Sequence, residues 1–320
     1  MRMLIRWLFL MAWVCSGYTW AQTSLPLSIE KVNDFAIDPL GRIAVTALDR
    51  NIEVWQLPDS LLKRISPPVN SNLSCIDLSA DGKLIIYGSQ GPDFGFFEWE
   101  DIIKPYRVTA EQPNFSKVKF GPLGHFMATA SQSGKVYIRD LGSGNMKYIY
   151  SRHTDKINDL AFSRDGKILA SASEDKTINL LDLETGKPIR RLAGHKEGVK
   201  NLTFSPDSTS LASTDGTQII IWKISDPQNV SGEVFYQNQQ GAALIGLSYS
   251  YDNKALATAT ETGHISAWVF EYGEYTLQVN SQIYDIEFVP GRFQLLFSTP
   301  SGARLVDLKA FNFKYFYEDN

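Results

Sequence analysis

Seven times along this chain an apolar strand runs into a tight turn and returns as a second strand rich in small residues. The clearest copy is FSRDGKILASAS, from Phe162. It recurs as IDPLGRIAVTAL from Ile37, LSADGKLIIYGS from Leu78, FGPLGHFMATAS from Phe120, FSPDSTSLASTD from Phe204, YSYDNKALATAT from Tyr249 and FVPGRFQLLFST from Phe288. The turn position marked by Gly166 falls at Gly41, Gly82, Gly124, Ser208, Asn253 and Arg292 in the other copies, a spacing of about 42 residues. Asp-Gly and Thr-Gly between apolar runs are hairpin signals, because glycine enters the left-handed region at no steric cost. Between Ile157 and His195 this gives four strands: Ile157 to Ser163, Lys167 to Ser173, Thr177 to Leu183 and Pro188 to Leu192. A lone sheet of that size cannot bury its faces, so each copy needs neighbours of its own kind.

A period near 40 residues of four strands is the spacing of propeller blades. The chain here resembles the WD-repeat β-propeller family. The residues that carry the likeness are Gly194-His195, the strand pattern from Val199 to Asp207, Leu169-Ala170-Ser171, Asp175, and Leu181-Asp182 where the family has Trp-Asp. The fold expected is all-β, a seven-bladed β-propeller of four-stranded antiparallel blades that unfolds as one unit. Blade two departs most, with the aromatic third strand Phe94-Gly-Phe-Phe-Glu-Trp99. The fourth strand of blade seven is expected from Ser24 to Ser28, three residues before Val32. The alternating tail Phe311 to Tyr317 is the other candidate.

Met1 to Ala21 reads as a signal peptide. Arg2 and Arg6 precede the apolar run Trp7 to Val14, which is too short to span a bilayer, and Ala21 offers a cut before Gln22. Residues 22–320 then form the propeller, placed in the periplasm or outside the cell without stable membrane insertion. Cys75 is the only cysteine after that leader. No disulfide within the chain is then available, which suits a bacterial envelope, and Cys75 is expected as a small buried hydrophobe. The formal net charge of −4 argues against a nucleic-acid partner, which needs a basic footprint.

The resemblance implies a structural hydrogen-bond set in blade five: His195, Ser213, Asp215 and Trp222. Its purpose is to let turn and inner strands share one satisfied polar network. The same Ser-His-Asp residues could be read as a catalytic triad, but no nucleophile elbow accompanies them. His125, His153, His195 and His264 come from different blades with no metal-ligand spacing. No P-loop, dinucleotide loop or paired-cysteine motif is present, so no cofactor, metal or catalytic residue is assigned. Inner strands line the channel of a propeller, which directs Asp34, Asp77, Asp159, Asp285 and Glu287 towards it, partly neutralised by Lys117 and Lys119.

The function expected is that of an exported, non-catalytic scaffold, a monomeric propeller that binds a protein partner. The alternative is an enzyme or a small-ligand or metal binder using the channel carboxylates. The partner is expected on the face carrying the second-to-third-strand turns and the crossings between blades, through Arg50, Pro92, Phe94, Lys176, Lys196 and Tyr236. Phe94 and Tyr236 are the candidate anchors, because interface energy concentrates in aromatic side chains; the alternative for Phe94 is a ring folded inward against Phe96 or Trp99.

Overall fold

The computed structural model describes residues 32–308 apart from 59, 92, 101–105, 110–114, 227–228 and 240, together with 312–314. All regular elements among them are strands, in seven antiparallel sheets that stand as the blades of a propeller. The hairpin reading holds nearly to the residue. Blade four consists of Ile157–Phe162, Ile168–Ser173, Thr177–Asp182 and Pro188–Ala193.

The repeated turn explains the repeated sequence. In blade four Ser163 Oγ donates to Asp165 Oδ1 at 2.6 Å and accepts from Ile168 N at 2.9 Å, while Asp165 Oδ1 also accepts from Lys167 N at 3.1 Å. Ser79 with Asp81, Ser205 with Asp207, and Ser250 with Asp252 repeat the arrangement. The side chains thus satisfy backbone groups that the tight turn leaves unpaired. The marker residue must be left-handed, and Ser208 and Asn253 adopt φ of 60° and 61° where the sequence lacks glycine. In the last copy Arg292 keeps the hydrogen-bonding position, its N 3.1 Å from Val289 O. The left-handed conformation moves to Gly291, after Pro290, as a type II turn requires.

Seven apolar clusters hold the ring, one at each seam between blades. Ala36, Ile52 and Ile65 of blade one meet Leu73, Ile76 and Phe97 of blade two. Similar clusters join blades two to three, three to four, four to five, five to six, and six to seven. The last joins Phe35, Ile37 and Trp55 of blade one to Val289, Leu296 and Leu305 of blade seven. Each fully buried aliphatic or aromatic side chain contributes about 2 kcal/mol, and closure lets every blade bury both faces.

Blade seven contains three described strands, Asp285–Phe288, Gln294–Thr299 and Gly302–Asp307. Ser24 to Ser28, expected as its fourth, lies outside the described residues. So does the leader. The tail does not take that place where it is described. Asn312–Lys314 runs antiparallel to the outer strand of blade six, Gly273–Gln278, with Tyr275 opposite Phe313. The free edge of blade six presents unpaired backbone groups, and the chain leaving blade seven adds a fifth strand there.

Candidate functional site

The inner strands bring the predicted carboxylates and lysines together in the channel. Lys117 Nζ lies 3.1 Å from Asp34 Oδ1, and Lys119 Nζ 3.3 Å from Asp77 Oδ1. The carboxylates also bridge neighbouring blades. Asp34 Oδ2 accepts from Ile76 N at 2.9 Å, Asp77 Oδ2 from Phe120 N at 2.6 Å, and Asp159 Oδ2 from Leu202 N at 2.8 Å. Ser248 Oγ does the same for Phe288 N at 3.0 Å. A short acceptor on one inner strand therefore satisfies the N–H of the next, where sheets cannot pair. Sequence reading placed these groups in the channel but missed the seam bonds, which join residues about 40 positions apart.

The balance is uneven. Five carboxylates share two lysines, and Glu287 makes no hydrogen bond or ion pair with a described residue. Among the described residues Asp285 Oδ1 accepts only from its neighbour Ile286 N, at 2.8 Å. Burial, reinforced by the charges of Asp34 and Asp159, pushes Asp285 up to about 6 against the pull of Lys117. Burial, reinforced by Asp285 and Asp77, pushes Glu287 up to about 8 against Lys119. Burial also raises Asp77 and Asp159, in each case opposed by the lysines. Burial disfavours the charge of Lys117, but Asp34, Asp159 and Asp285 outweigh it and hold its pKa well above the usual value. Among the described residues no group of three His, Cys, Asp or Glu is arranged to hold a metal ion.

The channel opens into a cavity of about 550 Å³ on the face carrying the first-to-second-strand turns. Its rim is apolar: Pro39, Pro122, Leu123, Pro206, Tyr251 and Pro290 line it. Arg164 stands over the Tyr251 ring, 3.9 Å from its centroid. Six exposed large apolar side chains lie on this turn face: Leu40, Leu123, Tyr251 and Phe293 in first-to-second-strand turns, and Phe270 and Tyr272 in the third-to-fourth-strand turn of blade six. Leu40 and Tyr272 are each 60% exposed and Leu123 58%. The other exposed ones sit on outer strands: Leu61, Leu62, Met146, Ile149 and Val234.

The opposite, crossing face is different from expectation. Phe94 is 2% exposed. It belongs to the strand Asp93–Glu98 rather than to the turn, lies edge-on to Phe115 at 5.1 Å, and carries the Arg139 guanidinium over its ring. Such a ring cannot anchor a partner. Tyr236 is half-buried against Trp268, with ring centroids 4.8 Å apart. Arg50, Lys176 and Lys196 are exposed, and Lys176 Nζ donates to Lys196 O at 2.6 Å. Pro92 lies outside the described residues. Among the described residues, none of the exposed large apolar side chains is on the crossing face.

The four residues of the blade-five set do meet. His195 Nε2 and Trp222 Nε1 lie 2.7 and 2.8 Å from Ser213 Oγ. His195 Nδ1 is 3.2 Å from Asp215 Oδ2, off the line of a good hydrogen bond. Asp215 also accepts from Thr217 N and Oγ1 at 2.9 and 2.7 Å. Burial works against its charge, but the close His195 ring and the bonds from Thr217 prevail and hold its carboxyl far below the usual range. Blade four repeats the geometry, with His153 2.9 Å from Asp175 Oδ2 and 2.8 Å from Ser171 Oγ. Ser213 is fully buried, so no substrate reaches its oxygen.

The family described as WD domain, G-beta repeat, matches residues 144–182 and 186–223. These segments are WD40 repeats. Each begins before the outer strand of one blade and ends with the third strand of the next, so the two WD40 matches take in the His-Ser-Asp networks of blades four and five. Among the described residues blades one to three show the same four-strand plan, blade six adds a fifth strand and blade seven has three; apart from the outer strand of blade three, they lie outside the matched segments. No curated protein matches the chain significantly.

Proposed function

We propose that this WD40 propeller is an exported, non-catalytic scaffold that binds a protein partner in a bacterial cell envelope. WD40 propellers are typically protein-interaction scaffolds. One observation carries the reading here: six exposed large apolar side chains gathered on the turn face of a closed ring. Apolar surface concentrated on one side of a soluble fold marks an interaction site. The basic-then-apolar start of the sequence supports export, and the lack of a second cysteine after it suits an envelope protein held together by packing. The test is affinity purification from the native envelope with chemical cross-linking, together with N-terminal sequencing. A stoichiometric partner and a mature chain starting at Gln22 are expected. A chain retained in the cytoplasm without a partner would contradict both parts.

The second reading makes the channel a small-ligand site, as a binder or an enzyme. The observation in its favour is Glu287, which faces the channel unpaired and held up near 8 by burial. Ligand-dependent thermal shift with small amines and sugars separates it from the scaffold reading.

A further inference from the structure

The apolar rim and the charged channel meet at one mouth, and together they specify what enters it. Lys117 and Lys119 are each engaged by a carboxylate. Asp159 is held by two backbone N–H groups, from Leu202 and from its neighbour Leu160. That leaves two carboxyl groups on blade seven, Asp285 and Glu287, without a hydrogen bond from a lysine among the described residues. The wall above them is proline, leucine and tyrosine, which suits a methylene stem but offers nothing to a second carboxylate. Arg164, the one cation on the rim among the described residues, is held against Tyr251.

We infer that this mouth receives a lysine or arginine side chain from an apolar segment of the protein partner. The head group is directed to Glu287 and Asp285, and the flanking residues rest on Pro39, Leu123, Pro206 and Tyr251. The inference rests on the scaffold reading above and names its docking site and partner chemistry. A cavity of about 550 Å³ accommodates one long side chain with part of its neighbours. The incoming charge would pair a carboxylate that now has none, so the electrostatic gain is confined to a basic segment. An acidic segment gains no such pair and meets the Asp285 carboxylate at the floor.

The test uses the full-length chain and acetylated, amidated pentapeptide pools. Leucine, proline and valine surround a central lysine, arginine, norleucine or glutamate, and binding is read by calorimetry. The lysine and arginine pools are expected to bind at least about tenfold more tightly than the other two, a difference set by one charge pair. Glu287→Gln combined with Asp285→Asn should abolish that preference. Tyr251→Ala should weaken the lysine pool, while Arg50→Ala should not. The channel variants remove charge that no lysine pairs directly, so the propeller stays folded, as far-ultraviolet dichroism and melting verify. Equal binding of the lysine and norleucine pools overturns the inference. So does binding of n-butylammonium as tight as that of the lysine pool, which makes the channel a small-amine site. Absence of binding at millimolar peptide also overturns it. Partner capture by the double variant then distinguishes the two failures: a captured partner leaves the scaffold standing without this site, and no partner for either form removes both.

Discussion

Lys117, on the inner strand of blade three, places its Nζ 3.1 Å from Asp34 Oδ1 on the inner strand of blade one. The other oxygen of Asp34 accepts from Ile76 N of the blade between them. One carboxylate therefore ties three blades beside the seam where the ring closes. Lys117→Met leaves Asp34 buried without its counter-charge and is expected to destabilise the fold by about 3 kcal/mol. Adding Asp34→Asn should recover part of that loss, because the carboxylate stranded by the first substitution is removed. Urea unfolding of the two single variants and the double variant measures the coupling. Additive losses would show that the pair is not coupled.

Glu287 makes stability depend on pH in an unusual direction. Its folded pKa is raised to about 8, so the folded state holds the proton more tightly than the unfolded chain. Its contribution is fully present below the unfolded value near about 4.3 and is lost as pH rises through about 8. Asp285, raised to about 6, acts in the same sense over a lower window. Asp77, Asp159, Asp34, Lys117 and Lys119 face these groups and set the size of the effect. Melting temperature should fall between pH 5 and pH 8.5, and Glu287→Gln should flatten the upper part of that slope. An unchanged slope in the variant would contradict a raised Glu287.

Much of this was legible in the sequence, and what was not has a physical reason. The turn Ser163-Arg-Asp-Gly166 announces itself locally, because its side chains bond within five residues. The repeat therefore gave blade number and strand limits. The channel followed from strand order. Phe94 was misplaced because Pro92-Asp93 reads as a turn with Phe94 at its tip. The strand in fact starts at Asp93, and Gly88 opposite leaves the ring free to reach Phe115. The apolar character of the turn face was hidden because exposure of Leu40, Leu123 and Tyr272 depends on seven blades aligning. No single repeat contains it.

Ser213 serves both His195 and Trp222. Ser213→Ala leaves two buried ring nitrogens, His195 Nε2 and Trp222 Nε1, without that oxygen and should cost about 2 kcal/mol. Calorimetric melting is the measurement. A loss below about 0.5 kcal/mol, the size of an ordinary surface substitution, would mean that the set does not stabilise blade five.

Cys75 is fully buried, and burial followed by the nearby Asp34 charge pushes its thiol up to about 12. It should resist iodoacetamide in the native protein at pH 8 and react fully in denaturant. Gly88→Ala should fold poorly, since a Cβ there would stand 2.7 Å from Cys75 Sγ and 3.2 Å from Phe115 Cβ. Rapid native labelling would contradict this packing.

The proposed turn-face interface is tested most directly by site-specific photo-cross-linking in the cells that make the protein. A photoreactive residue is placed at Leu123, Tyr251 or Tyr272 on the turn face, or at Arg50, Lys176 or Lys196 on the crossing face, all exposed positions. Adducts to one partner from the first three positions, and none from the second three, are the expected result. Adducts from Arg50, Lys176 or Lys196 with none from the turn face would contradict it.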